Sequence, residues 1–278
     1  MSVHGQADPG GPRLRPAGQR ARSAGGGIVA VEAFSRGGAI DRAWMGWGAL
    51  RVLSRQDWAP GAVRDEGRVA NVERLLLVTS GALDADCGDL GRHRVDAGDL
   101  LWIGAGHGLG ARLANASATA PLRLVELWLL PDRVNAPPAV ASRGGGGDVE
   151  AGSSVGAAAG WTLLADGAVA AARGVSADPA GPAAPASDGD PLPLRQRARV
   201  LAARLEPGSR LPLAPGEAGR CWLEVLEGEA VVLAAAGSGM PLAAGDGVGW
   251  LAGNAAAPVS VAACVPGAAS LLLLTLPA

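Results

Sequence analysis

The chain of 278 residues has no lysine, no tyrosine, a single phenylalanine and three histidines, so all 24 basic residues are arginines. Each shortage excludes something. With His4, His93 and His107 as the only imidazoles, a site built on a histidine cluster has little to draw on. The three cysteines, Cys87, Cys221 and Cys264, are odd in number, far apart and free of any C-x-x-C pair. That spacing argues against a disulfide framework or a zinc knuckle, and it reads as reduced, buried thiols. A formal net charge of −2 implies neither a basic surface for nucleic acid nor an acidic tail, so no nucleic-acid partner is expected. No apolar run is long enough to span a bilayer; Leu271–Leu274 is only a short patch. The start, Met1 to Arg22, has no apolar h-region. A cytoplasmic protein with no membrane partner is expected.

What is present is 49% hydrophobic residues, arranged in short apolar runs separated by turn residues. Residues 1–27 are rich in Gly, Pro and Arg and are expected to be a disordered basic arm. From Ile28 the spacing predicts strands near Ile28–Phe34, Leu50–Leu53, Glu73–Val78, Ala82–Asp86, Arg92–Val95, Leu100–Ile103, Gly108–Leu113 and Leu122–Leu130. Nothing between Ile28 and Leu130 shows a long 3.6-residue amphipathic period. A Gly/Ser/Ala stretch over 141–160 reads as a linker. A second strand-rich half, 161–278, is interrupted by a Pro/Ala/Gly/Asp insertion at 176–190 that is expected to be a disordered loop.

The second half repeats the grammar of the first, 28–140. Leu223 to Val232 is a strand, a Glu227-Gly228 turn and a strand. The Ala244-Gly245-Asp246 turn that follows parallels Ala97-Gly98-Asp99. In such a turn Gly supplies a positive φ and Asp bonds nearby backbone N–H groups. Repetition at this scale predicts two copies of one barrel fold.

More specific motifs lie around these turns. They are Phe34-Ser35, Met45-Gly46-Trp47-Gly48-Ala49-Leu50-Arg51-Val52-Leu53, Ala59-Pro60-Gly61, Ala105-Gly106-His107-Gly108 and Glu126-Leu127-Trp128-Leu129-Leu130-Pro131-Asp132-Arg133. In the second half come Trp222 to Gly228 and Leu272 to Pro277. Together they resemble the pirin family, whose bacterial members are bicupins. The resemblance implies an all-β chain of two tandem cupin barrels (double-stranded β-helix, or jelly-roll).

The resemblance also implies a metal, usually iron, in the N-terminal barrel, held by an H-x-H pair and a later H-x-E. By position, the first pair falls on Gly67 and Val69 and the second on Ala111 and Leu113. None of these side chains offers a lone pair to a metal, so the site is expected to be degenerate, with no cofactor and no catalytic residue. Some family members are flavonol dioxygenases and others are regulatory or stress-linked. A metal-free binding or regulatory protein, with a small-molecule ligand or a protein partner, is therefore expected. A metal-dependent quercetin 2,3-dioxygenase is the alternative.

Three polar residues stand out as pocket candidates. Glu73 and Glu126 either face a small dry cavity, as ligand contacts or a metal-free acid/base pair, or sit in salt bridges with Arg68, Arg74 or Arg112. His107 shares strand parity with Ala111 and Leu113, but it lies in a turn, where a surface position is the simpler reading. His93, between Arg92 and Arg94, reads as a surface hairpin residue. The glycines from Gly104 to Gly108 join two strands and open no helix, so they are not a dinucleotide fingerprint.

Overall fold

A computed structural model of the chain describes residues 11–144, 160–172, 189–213, 219–235, 237–254 and 256–278. Their regular structure is mostly strand, with one short α-helix at Gly167–Ala172 and 3-10 turns at Ala17–Gln19 and Gly88–Leu90. The two halves form two barrels of like design. In each, a seven-stranded sheet faces a four-stranded one.

The seven-stranded sheet of the N-terminal barrel runs, in spatial order, Ala139–Arg143, Leu100–Gly104, Glu73–Ser80, Leu122–Leu129, Leu50–Trp58, Ile28–Glu32 and Ala21–Gly25. Its partner sheet is Val63–Val69, Leu109–Asn115, Ala82–Asp86 and Arg92–Asp96. The C-terminal barrel repeats this with Arg13–Arg15, Gly247–Leu251, Arg220–Glu227, Ala269–Leu276, Arg199–Leu205, Thr162–Asp166 and Leu192–Pro193, opposite a second four-stranded sheet.

The repeated turns superimpose in their chemistry. Gly98 and Gly245 have φ of 89° and 88°, values that L side chains avoid. Asp99 Oδ2 accepts the Asp96 N–H at 3.1 Å, and Asp246 Oδ2 accepts the Ala243 N–H at 2.9 Å.

The central strands Glu73–Ser80, Leu122–Leu129 and Ala269–Leu276 are buried almost throughout. One face lines a barrel and the other meets the second barrel, which explains runs of leucine where a half-exposed strand would alternate. Leu53, Leu75, Leu127 and Trp102 join Phe34, Trp44, Trp47, Trp222 and Leu274 in a core between the barrels. Leu76, Val78, Leu83, Leu101, Leu122 and Leu124 fill one end of the N-terminal barrel. The C-terminal barrel is filled by apolar residues such as Leu211, Leu223, Val248, Trp250 and Leu273.

The basic arm is a correction to the sequence reading. Residues 1–10 lie outside the described residues, but Arg13–Arg15 and Ala21–Gly25 are strands, not disordered chain. The first adds to the edge of the C-terminal sheet, Arg13 opposite Gly249. Reciprocally, Ala139–Arg143 adds to the N-terminal sheet, Val140 opposite Ile103. Each segment that precedes a barrel thus covers an edge of the other one. Arg20 completes the exchange: its guanidinium grips Glu224 at 2.5 and 2.8 Å, both side chains fully buried. Gly and Arg lower the apparent hydrophobicity of this segment, and its partner strand lies more than 200 residues away, so composition alone mimics disorder. The expected linker also begins late, because Ala141–Arg143 belong to a strand. Its residues 145–159, and 173–188 around the expected insertion, lie outside the described residues.

Candidate functional site

The strand Val63–Val69 has the sequence Val-Arg-Asp-Glu-Gly-Arg-Val and an alternating exposure pattern. Arg64 and Glu66 share its inner face. They meet Arg74 from the strand Glu73–Ser80, Glu126 from Leu122–Leu129, Gln56 from Leu50–Trp58, Glu32 from Ile28–Glu32, and Arg36 from the turn that follows it. This cluster occupies the mouth of the N-terminal barrel, above the apolar end.

Glu126 is the floor of the cluster, fully buried. Its Oε1 accepts Arg74 Nε and Nη2 at 3.0 and 2.6 Å and Trp128 Nε1 at 2.8 Å. Its Oε2 accepts Gln56 Nε2 at 2.7 Å, Arg64 Nη2 at 3.0 Å and Arg36 Nη1 at 3.3 Å. Burial alone would raise its pKa, but Arg74, Arg64 and Arg36 outweigh that and hold the carboxyl well below the usual range. Glu66 makes a second tie, at 2.8 Å to Arg64 Nε and 2.5 Å to Arg74 Nη1. Arg36 lies over the Trp128 ring at 4.8 Å, and Arg64 over Trp58 at 5.1 Å.

Glu32 differs from the other two carboxylates. Ser54 Oγ donates to its Oε1 at 3.0 Å, while its Oε2 is buried without a hydrogen-bond partner. Burial lifts its pKa, against Arg36 and the Ser54 hydrogen bond.

The residues singled out from sequence are not brought together. Glu126 faces the barrel interior and pairs with Arg74, as one reading had it. Glu73 faces the other way, into the interface between barrels. It accepts the backbone N–H groups of Arg195 and Gln196 at 2.6 and 2.8 Å and Trp102 Nε1 at 3.1 Å. Burial pushes its pKa up to about 7, against these donors. His107 is exposed at its turn, and its backbone N–H donates to the Ala136 carbonyl at 2.8 Å. His93 is half-buried, its ring nitrogen 3.2 Å from the Leu90 carbonyl.

Ala111 and Leu113 belong to the apolar core. Gly67 is exposed, at φ +63°, a conformation strained for any residue with a Cβ. Among the described residues no three His, Cys, Asp or Glu side chains converge on a point where a metal could sit. The charged groups nearest to hand are three guanidinium cations, which repel a divalent ion and compete with it for the carboxylates. The residues present do not fit the expected metal.

A family model described as the quercetinase C-terminal cupin domain matches residues 183–263. Quercetin 2,3-dioxygenase of Escherichia coli K12 is 27% identical over 119 residues, 43% of this chain and 52% of that protein. Pirin-like protein YhaK of the same strain is 29% identical over 112 residues, 40% of this chain and 48% of that protein. The chain thus matches about half the length of these curated relatives. Among solved structures, Escherichia coli YhhW aligns with a TM-score of 0.75 at 21% identity, over 96% of this chain and 97% of that one. A nickel(II) complex of bacterial pirin YhhW aligns at 0.73 and 22%, over 96% and 99%.

The chain has the two-barrel fold of the bacterial pirins. At the barrel mouth Arg64 and Glu66 directly precede Gly67, the position at which the resemblance had implied the first metal ligand. Sequence reading missed Arg36, Arg64, Glu66, Glu32 and Gln56. The signal available was the charged alternation Arg64-x-Glu66, which reads as loop until the strand is placed.

Proposed function

We propose that this pirin-like protein is a metal-independent binding or regulatory protein, with no flavonol dioxygenase activity. The observation behind the reading is the arginine–carboxylate network that fills the barrel mouth, together with Gly67, Val69, Ala111 and Leu113 at the positions of the family's metal ligands. Aliphatic side chains provide no coordination, and Glu126 and Glu66 are already bound by guanidinium groups. Fold shared with an enzyme does not confer the enzyme's chemistry once its donor set is replaced. The family likeness to quercetin 2,3-dioxygenase leads to the rival expectation of an oxygenase. Oxygen uptake with quercetin, after loading with iron, nickel, copper or manganese, separates the two. The expected result is uptake at the rate of free metal, and metal-dependent turnover above that rate contradicts the proposal.

A further inference from the structure

The mouth of the N-terminal barrel opens into a groove of about 790 Å³, whose lining includes the apolar Ile28, Ala30 and Val63 and the charged Glu32, Arg36, Arg64 and Asp65. We infer that this groove binds a small organic acid carrying a hydroxyl beside its carboxylate, with the carboxylate on Arg36 and Arg64 and the hydroxyl on Glu32. This rests on the metal-independent reading of the same barrel.

The first reason is the free oxygen of Glu32. The residue is only 4% exposed, it lines the groove, and its Oε2 has no hydrogen-bond partner. A buried polar atom left unmatched costs about 1–3 kcal/mol, and a ligand hydroxyl would recover that. A hydroxyl both donates and accepts, so it suits the carboxyl in either protonation state.

The second reason is how loosely Arg36 is held. Arg74 is 1% exposed and reaches Glu126 at 2.6 Å, whereas Arg36 is 24% exposed and lies 3.3, 3.6 and 3.7 Å from Glu126, Glu66 and Glu32. Its guanidinium fork has donors to spare for a planar carboxylate. Arg64, 18% exposed, stands beside it.

Geometry then narrows the ligand. Arg36 Nη1 lies 3.7 Å from the Glu32 carboxyl, at Oε1, a spacing that suits adjacent ligand groups, as in a 2-hydroxy acid. A simple carboxylate without the hydroxyl would leave Glu32 Oε2 unmatched. Ile28, Ala30 and Val63 accept an apolar body.

The test is calorimetric titration of the full chain, in chelator, with mandelate, phenylacetate (the same body without the hydroxyl) and benzyl alcohol (without the carboxylate). Mandelate is expected to bind roughly tenfold tighter than phenylacetate, the worth of one satisfied buried hydrogen bond, with benzyl alcohol weakest. Arg36→Ala, at a partly exposed position, is expected to weaken both acids by about tenfold or more. Glu32→Ala is expected to erase the preference for mandelate over phenylacetate, with folding checked by circular dichroism. No heat at millimolar mandelate, equal affinity for the two acids, or indifference to Arg36→Ala overturns the inference. Those results leave metal-independence standing; metal-dependent quercetin turnover removes the reading beneath it.

Discussion

Glu126 and Arg74 meet at 2.6 Å on the floor of the N-terminal barrel, with 0% and 1% of their side chains exposed. Removing one partner from such a pair leaves an uncompensated buried charge, which costs about 3–5 kcal/mol. Glu126→Ala is therefore expected to destabilise the protein by that order in urea melts. Glu126→Leu combined with Arg74→Met should recover part of the loss, since it removes the stranded guanidinium. A single variant as stable as the parent would show that the cluster is not held as described.

Glu73 sets a pH dependence of definite sign. Its carboxyl titrates at about 7 when folded, against 4.5 as the ordinary value. Between those values the folded state holds more protons than the unfolded one. Stability from this group is complete below the lower value and is lost as pH rises through the upper one, by roughly 3 kcal/mol for a shift of this size. Glu32, also raised, acts in the same direction. Glu126, held low, acts the opposite way, and its contribution is lost only in stronger acid. Glu73→Gln should flatten part of the slope across the window, read from urea midpoints on either side of it.

Arg20 and Glu224 tie the N-terminal arm to the far barrel, both at 0% exposure. Arg20→Ala is expected to cost about 3–5 kcal/mol. Arg22→Ala, two residues along the same arm but exposed, should change stability by no more than about 0.5 kcal/mol. Thermal melts of the two variants compare them directly, and equal effects would contradict the placement of the arm.

The thiols offer a fourth independent check. Cys87 and Cys221 are buried, and burial pushes them up to about 11 and about 12. Cys264 is half-exposed. Since the thiolate is the reactive form, a disulfide reagent at neutral pH should titrate one thiol rapidly and the other two only after unfolding.

Much of the fold was legible because its signals are local. The Ser80-Gly81 and Glu227-Gly228 turns, and the twin Ala-Gly-Asp turns, announced a repeated barrel before any contact was known. Leu122–Leu129 was legible from its apolar run, and Ala82–Asp86 to the residue. The strand Val63–Val69 was not, because its inner face carries Arg64 and Glu66 where strand reading looks for apolar residues. With that strand missing, Arg64, Glu66 and Arg36 had no reason to converge, and only the Arg74 partner of Glu126 could be named. Glu73 looked equivalent to Glu126 until the sheet put them on opposite faces, one toward a barrel interior and one toward the neighbouring barrel.

The most direct test of the account is the metal content of the purified full chain after incubation with iron(II) or nickel(II) and removal of excess ion. An N-terminal barrel closed by Arg64, Arg74 and Glu126 is expected to retain far less than one ion per chain, and Glu126→Ala should not change that. Retention of one tightly held ion per chain, lost on substituting Glu126 or Glu66, would contradict it.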